Sequence, residues 1–257
     1  MSTVDFKRDD DLGVITFNDQ PLNLLSEKLL TSLSAIINGL ESEDIRALLF
    51  TADEGNFSAG ADISMFKDMK RGEASAMLEK FFQFIYRIEG LPYPTMAAVS
   101  GLCIGGGFEL ALSCDFIWAA DNAQFAAAEA LVGIVPLGGG ARMLAQRAGI
   151  ARAKEVVFSG RFFKPGQLES WNIINRVLPL PDLNDKAVKY MKSLSNGPTM
   201  AHGATKKILK AFSDNGRLES DKVLMDVVPP LFESEDLKTG IESLLKEGPG
   251  KARFSGR

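Results

Sequence analysis

Three consecutive glycines, Gly105-Gly106-Gly107, stand between a run that reads as a buried strand, residues 95–99, and a short helix running through Ser113. No other part of the chain restricts the fold as much. Glycine lets the backbone adopt conformations closed to other residues and brings its amides close to a bound group. Amides at a helix N-terminus point toward negative charge. Strand, glycine turn and helix in direct succession make one unit of an α/β architecture. The first turn of that helix carries Glu109. A second glutamate, Glu129, follows between Ala126-Ala127-Ala128 and Ala130-Leu131-Val132. Both carboxylates sit among apolar residues, where ionisation costs desolvation and the pKa rises toward the range useful for proton transfer.

Each feature also has a plainer reading. The glycines can be a tight turn with close helix–strand packing. Glu109 can merely complement the helix dipole, worth about 0.3–1 kcal/mol, and Glu129 can be a surface loop acid. A dinucleotide-binding loop does not fit, because Leu110 stands where the next glycine would fall and the loop lies mid-chain. A further segment, Phe57-Ser58-Ala59-Gly60-Ala61-Asp62, offers small residues whose amides can approach a ligand, or else an ordinary helix start capped by Asp62. Gly138-Gly139-Gly140 reads as a flexible helix entry, and the following Arg142 and Arg147 acquire no role. Taken together, two tuned carboxylates and exposed backbone donors are the parts needed to move protons on a carbon acid while holding an enolate.

The rest of the chain frames this region. Residues 2–8 and 12–17 alternate enough to pair as a hairpin across Asp9-Asp10-Asp11. Ser26 caps a helix whose Leu29, Leu30, Leu33, Ile36, Ile37 and Leu40 recur at helical spacing. Residues 45–51 form a short buried strand, 74–89 an amphipathic helix stopped by Pro92 and Pro94, and 115–119 another strand. Beyond about residue 196 the strands stop, and 198–213, 217–232 and 235–246 are all helical in pattern. The chain therefore divides into an α/β body over residues 1–195 and a helical layer over 196–257. Apolar faces on that layer (Ile208, Leu209, Phe212; Leu224, Val227, Val228, Leu231) need partners on the body or on a neighbouring subunit.

Several function classes fall away. A formal net charge of −4 gives no basic face for nucleic acid, and no apolar run reaches membrane-spanning length. The acidic N-terminus lacks the apolar core of a secretory signal or the pattern of a transit peptide, so a soluble, cytoplasmic protein is expected. Cys103 and Cys114 read as buried, reduced thiols without metal-ligand spacing, and the single histidine, His202, has no partner cluster. Near the C-terminus Lys246, Lys251, Arg253 and Arg257 face a single Glu247, which makes a solvated end or a cationic patch near a ligand phosphate.

These segments resemble the enoyl-CoA hydratase/isomerase (crotonase) superfamily over essentially the full length. The matching residues are Phe57–Asp62, Val99–Leu110 with its glycines and Glu109, and Ala128-Glu129 through Gly133-Ile134-Val135-Pro136 to Gly139-Gly140. The ending, Phe232–Asp236 to Gly240, is similar to the family's last helix. The resemblance implies a crotonase-like spiral of ββα units, with a C-terminal helical region that drives trimer formation, as a homotrimer or a dimer of trimers. It implies an acyl-CoA thioester substrate and no metal or redox cofactor, the coenzyme A being part of the substrate. It places the thioester carbonyl between the backbone N–H groups of Ala61 and Gly106. Glu109 and Glu129 fall on the two positions that carry catalytic glutamates in the hydratases. Glu109 would hold and deprotonate the attacking water, and Glu129 would orient it and supply the α-proton. Ala59, Asp62 and Ile63 would line the adenine and pantetheine end, and Met65, Phe66 and Leu137 would shape the acyl pocket. Two departures stand out: Ser64 occupies a position where some members have a lysine near the CoA phosphates, and Leu137 follows Pro136 where glycine is frequent. With both glutamates present, reversible hydration of a 2-enoyl-CoA is the expected activity. The alternatives are an isomerase or other crotonase-type acyl-CoA enzyme, and a non-catalytic acyl-CoA-binding protein.

Overall fold

The computed structural model describes residues 3–53 and 55–256; Ser2 of the expected first strand and Arg257 of the basic end lie outside them. The hairpin forms as β1 (Val4–Asp9) and β2 (Leu12–Phe17), with Val4 opposite Phe17 and Asp9 opposite Leu12. Ser26 caps α1 (Glu27–Gly39), its hydroxyl accepting from the Leu29 amide at 3.3 Å. The chain continues through β3 (Ala47–Ala52), α2 (Arg71–Glu89), β4 (Thr95–Val99), β5 (Leu102–Ile104), α3 (Gly106–Ser113), β6 (Phe116–Ala120) and β7 (Gln124–Ala126). After these come α4 (Gly140–Ala148), α5 (Ile150–Ser159), α6 (Pro165–Ser170), β8 (Arg176–Leu178) and α7 (Leu183–Ser195). Three helices end the chain: α8 (Thr199–Asn215), α9 (Arg217–Val227) and α10 (Glu235–Glu247).

The main sheet has the order β1-β2-β3-β4-β6-β8 and is parallel except for the hairpin. Parallel sheets are covered on both faces, so their strands are apolar throughout. The two-residue period then decides which core each side chain enters. Leu48, Phe50, Ala97, Val99, Ile117 and Ala119 join the larger core, with the buried faces of α1 and α2. The residues between them, Ala47, Leu49, Met96, Ala98, Trp118 and Ala120, face the other way, where α7 contributes Leu183, Ala187 and Met191.

A second, smaller sheet pairs β5 with β7 in parallel. Single bridges extend it from Cys103 to Ser58 and from Phe125 to Phe163. The chain thus visits the main sheet, then the small sheet, then a helix: β4, β5, α3, and again β6, β7, α4. This is the spiral of ββα units. The structure adds β5, β7 and β8, each of three residues, to the strands expected from pattern. It also shortens one helix: α9 stops at Val227, not 232, and residues 229–233 form a 3-10 turn. Pro229 and Pro230 lack the amide donors an α-helix needs there. Among the described residues no helix is long and apolar enough to cross a membrane.

Arg147 on α4, to which the sequence attaches no role, holds the end of α3. Its guanidinium donates to the carbonyls of Cys114 at 2.6 Å, Leu112 at 3.4 Å and Ile173 at 3.2 Å. Arg147→Met leaves these carbonyls without their donor and is expected to cost roughly 2–4 kcal/mol in chemical denaturation, whereas a cost under about 1 kcal/mol would mean that they find other donors.

Candidate active site

The small sheet brings three separate segments side by side, and each strand of it ends in a piece of the site. Gly105, at φ 53°, lies where an L side chain is strained. Its amide donates to the Ala126 carbonyl at 2.8 Å, which ties the turn to β7. A Cβ there would stand 3.2 Å from Glu129 Oε1, so the turn's backbone lies against that carboxylate. Gly60, at φ 89°, lets Ala59–Ala61 run beside the start of α3. A Cβ on Gly60 would meet the Ile104 carbonyl oxygen at 2.6 Å and the Gly106 nitrogen at 3.5 Å. The amides of Ala61 and Gly106 are thereby neighbours. Among the described residues neither donates to another backbone acceptor, as expected for a first-turn helix amide such as that of Gly106.

Glu109 is only 3% exposed. Its Oε1 accepts from the amides of Gly138 at 2.8 Å and Gly140 at 2.7 Å, and its Oε2 from the Leu137 amide at 3.2 Å. These donors form the entry to α4, so Glu109 caps a helix other than its own. Gly140 has no room for a side chain, since a Cβ would come 2.9 Å from Glu109 Cγ. Burial pushes the Glu109 carboxyl up to about 7, against the pull of the Gly140 amide and then with the push of the Glu129 charge. The amides of Gly138 and Leu137 draw it back a little.

Glu129 lies in the 3-10 turn Ala128–Val132, 8% exposed. Burial raises its pKa as well. Its Oε2 is buried and has no hydrogen-bond partner among the described residues. The two carboxylates therefore differ in kind: one is saturated with donors, and the other is short of one.

Both glutamates, Ala61 and Gly106 open on one cavity of about 1170 Å³, which Ala59, Ile63, Met65, Phe66 and Leu137 also line. Asp62 does not line it. Its carboxylate accepts from the Ser64 amide at 3.0 Å, and hydrogen bonds from Ser64 hold its pKa below the ordinary value. Among the described residues the basic end does not line it either: Phe254 gives its carbonyl to Arg46, and the amides of Ser255 and Gly256 donate to Asp236. Among the described residues no group of three His, Cys, Asp or Glu is placed to hold a metal ion.

Sequence reasoning missed the role of Gly138-Gly139-Gly140. The signal was there: a helix that begins on glycines, with no Ser, Thr, Asp or Asn at its start, takes its cap from elsewhere. Arg142, after it, pairs with Glu89 at 2.9 Å and joins α4 to the end of α2.

With this geometry in view, the Enoyl-CoA hydratase/isomerase family model matches residues 7–254. A Mycobacterium bovis protein named a probable enoyl-CoA hydratase is 30% identical over 251 residues, 95% of each chain. A Mycobacterium tuberculosis protein of the same description is 31% identical over 203 residues, 79% of this chain and 78% of its own. Among solved structures, enoyl-CoA hydratase subunit I of Geobacillus kaustophilus gives a TM-score of 0.92 at 29% identity, covering 99% of this chain and 98% of that one. An enoyl-CoA hydratase of Bacillus anthracis, with a TM-score of 0.92 at 23% identity over 99% of this chain and all of its own, shows the shared fold.

The raised Glu109 pKa carries a stability consequence. The folded protein holds that proton more tightly than the unfolded chain does. The stabilisation is full below the ordinary carboxyl pKa of 4.5 and is lost as the pH rises through about 7. Denaturation at several pH values should show wild type losing stability across that window more steeply than Glu109→Gln. Parallel curves for the two proteins would mean that Glu109 keeps an ordinary pKa.

Proposed function

The chain belongs to the enoyl-CoA hydratase/isomerase family, and on that premise we propose that it adds water reversibly across the double bond of a 2-enoyl-CoA thioester. One observation carries the reading: a single cavity holds two partner-free backbone amides and two buried glutamates, one saturated with hydrogen bonds and the other not. The thioester carbonyl oxygen sits between the Ala61 and Gly106 amides. As the water oxygen bonds to the β-carbon, negative charge gathers on that carbonyl oxygen, and preorganised donors stabilise it more than the starting thioester.

Glu109 is fixed by three amides and acts as the acceptor, taking a proton from the water. Glu129, with Oε2 unpartnered, holds the water and delivers a proton to the α-carbon. The product carries the hydroxyl at the β-carbon and the new hydrogen at the α-carbon, and the pair ends with the proton count it began with. How the pair divides its protons at each moment belongs to both groups together.

A resident cofactor is not required by this scheme; coenzyme A enters and leaves with the acyl group. The apolar side chains that α8–α10 and the turn before α10 leave in solvent, with Met225 at 69%, Phe232 at 71% and Leu245 at 81% exposure, support assembly with further copies as a homotrimer or a dimer of trimers. Cys103 and Cys114, free and buried, suit the reducing cytoplasm.

The test is the loss of enoyl-thioester absorbance with a short straight-chain 2-enoyl-CoA. Glu109→Gln and Glu129→Gln are each expected to lose roughly 100- to 10,000-fold in kcat while still binding an acyl-CoA. A shifted double bond without incorporation of solvent oxygen would identify an isomerase. Acyl-CoA binding with no turnover of any enoyl thioester would identify a non-catalytic binder.

A further inference from the structure

The cavity that holds the glutamates does not end with them. It continues as a groove between α1 and α2, lined on the α1 side by residues from Glu27 to Asn38 and on the α2 side by residues from Glu73 to Arg87. Its floor is apolar, made by Leu30, Ile37, Met77, Phe81 and Phe84, and its rim is polar, with Thr31, Ser34, Lys80 and Gln83. Phe81 stands at the junction. A Cβ on Gly138 would come 2.7 Å from the Phe81 ring, and one on Gly106 would come 3.6 Å from it and 2.9 Å from Leu25. The groove therefore begins against the glycine whose amide faces the carbonyl.

We propose that this groove takes the acyl tail, and that the substrate is a long, straight-chain 2-enoyl thioester of about a dozen carbons; this rests on the hydration reading above. Three observations lead there. The groove is continuous with the reacting centre, so its occupant must be joined to the reacting group. Its floor is apolar, and the tail is the apolar part of such a substrate, since the coenzyme A portion is polar and charged. Its length fits: Glu27 to Asn38 spans roughly 16 Å at the helical rise, and an extended chain advances roughly 1.2 Å per bond. Burial of each added methylene against the floor strengthens binding. At the far end Asn38 and Arg87 mark the opening, with Arg87 held by Glu41 at 2.6 Å, so the chain end meets polar groups and solvent.

The experiment measures binding of saturated dodecanoyl-CoA and butanoyl-CoA, which needs no turnover, to wild type and to variants that fill the groove from opposite walls. These are Ser34→Trp on α1 and Met77→Trp on α2. Wild type should bind dodecanoyl-CoA at least tenfold more tightly than butanoyl-CoA, and in each variant the ratio should fall below threefold. Either variant suffices if the other fails to fold, and retained butanoyl-CoA binding reports folding. Equal affinities in wild type, or an undiminished ratio in a folded variant, would overturn the proposal. Hydration of the matching 2-enoyl thioesters is followed alongside. If the binding ratio behaves as expected and no hydration occurs, the groove stands and the hydratase reading fails.

Discussion

A carboxylate sealed from water must become neutral or be surrounded by donors. Glu109 meets that condition with the three amides of Leu137, Gly138 and Gly140, and much of the structure depends on this arrangement. The bonds fasten α3, every residue of which is buried, to the entry of α4. They give α4 the cap that its own starting residues cannot supply. They leave room for no side chain at Gly140 and press Gly138 against Phe81. A group suited to proton transfer is thus also a structural cap. Its position cannot drift without opening a helix end, and this is a physical route to holding a buried carboxyl in register.

The other half of the site depends on the small sheet. Ser58, β5 and β7 lie side by side, and each runs directly into a segment that lines the cavity: Ser58 into Ala61, Ile104 into Gly106 and Glu109, Ala126 into Glu129. The main sheet stabilises the body through its two cores, while the small one brings both glutamates and the Ala61 and Gly106 amides to one cavity. Its strands are too short to show a two-residue period, so nothing in the apolar pattern marks them. They exist because Ser58, Cys103 and Phe125 find partners across the turn of the spiral.

That contrast explains what was legible in the sequence. The strands of the main sheet announce themselves through unbroken apolar runs such as Ala47–Ala52, and α1 through Ser26 and its regular leucines. Glu109 and Glu129 were visible because a charged residue in an apolar run is costly. What Glu109 does with its oxygens was not visible, since the donors come from a segment 28 to 31 residues later. The end of α9 was misread because the apolar residues around it, from Leu224 to Leu231, keep a helical spacing that Pro229 and Pro230 interrupt. The groove was beyond reach for a different reason. Helical spacing shows that α1 and α2 each have an apolar face, but not that the two helices stand apart along that face.

The groove and the two carboxylates belong to one electrostatic arrangement. Desolvation is the largest influence on both glutamates, and both open on the cavity that the groove continues. An acyl tail lying on the groove's floor, as proposed, would displace water from the approach to the site and strengthen every charge interaction inside it. The charged forms are supported unequally. Glu109 has the three amides of Leu137, Gly138 and Gly140, and Glu129 has its own backbone amide, with Oε2 left without a partner among the described residues. Burial outweighs both kinds of support, carrying Glu109 up to about 7 and Glu129 above the ordinary carboxyl value. Hydrogen bonds therefore fix where the Glu109 carboxyl points, while burial sets its proton affinity.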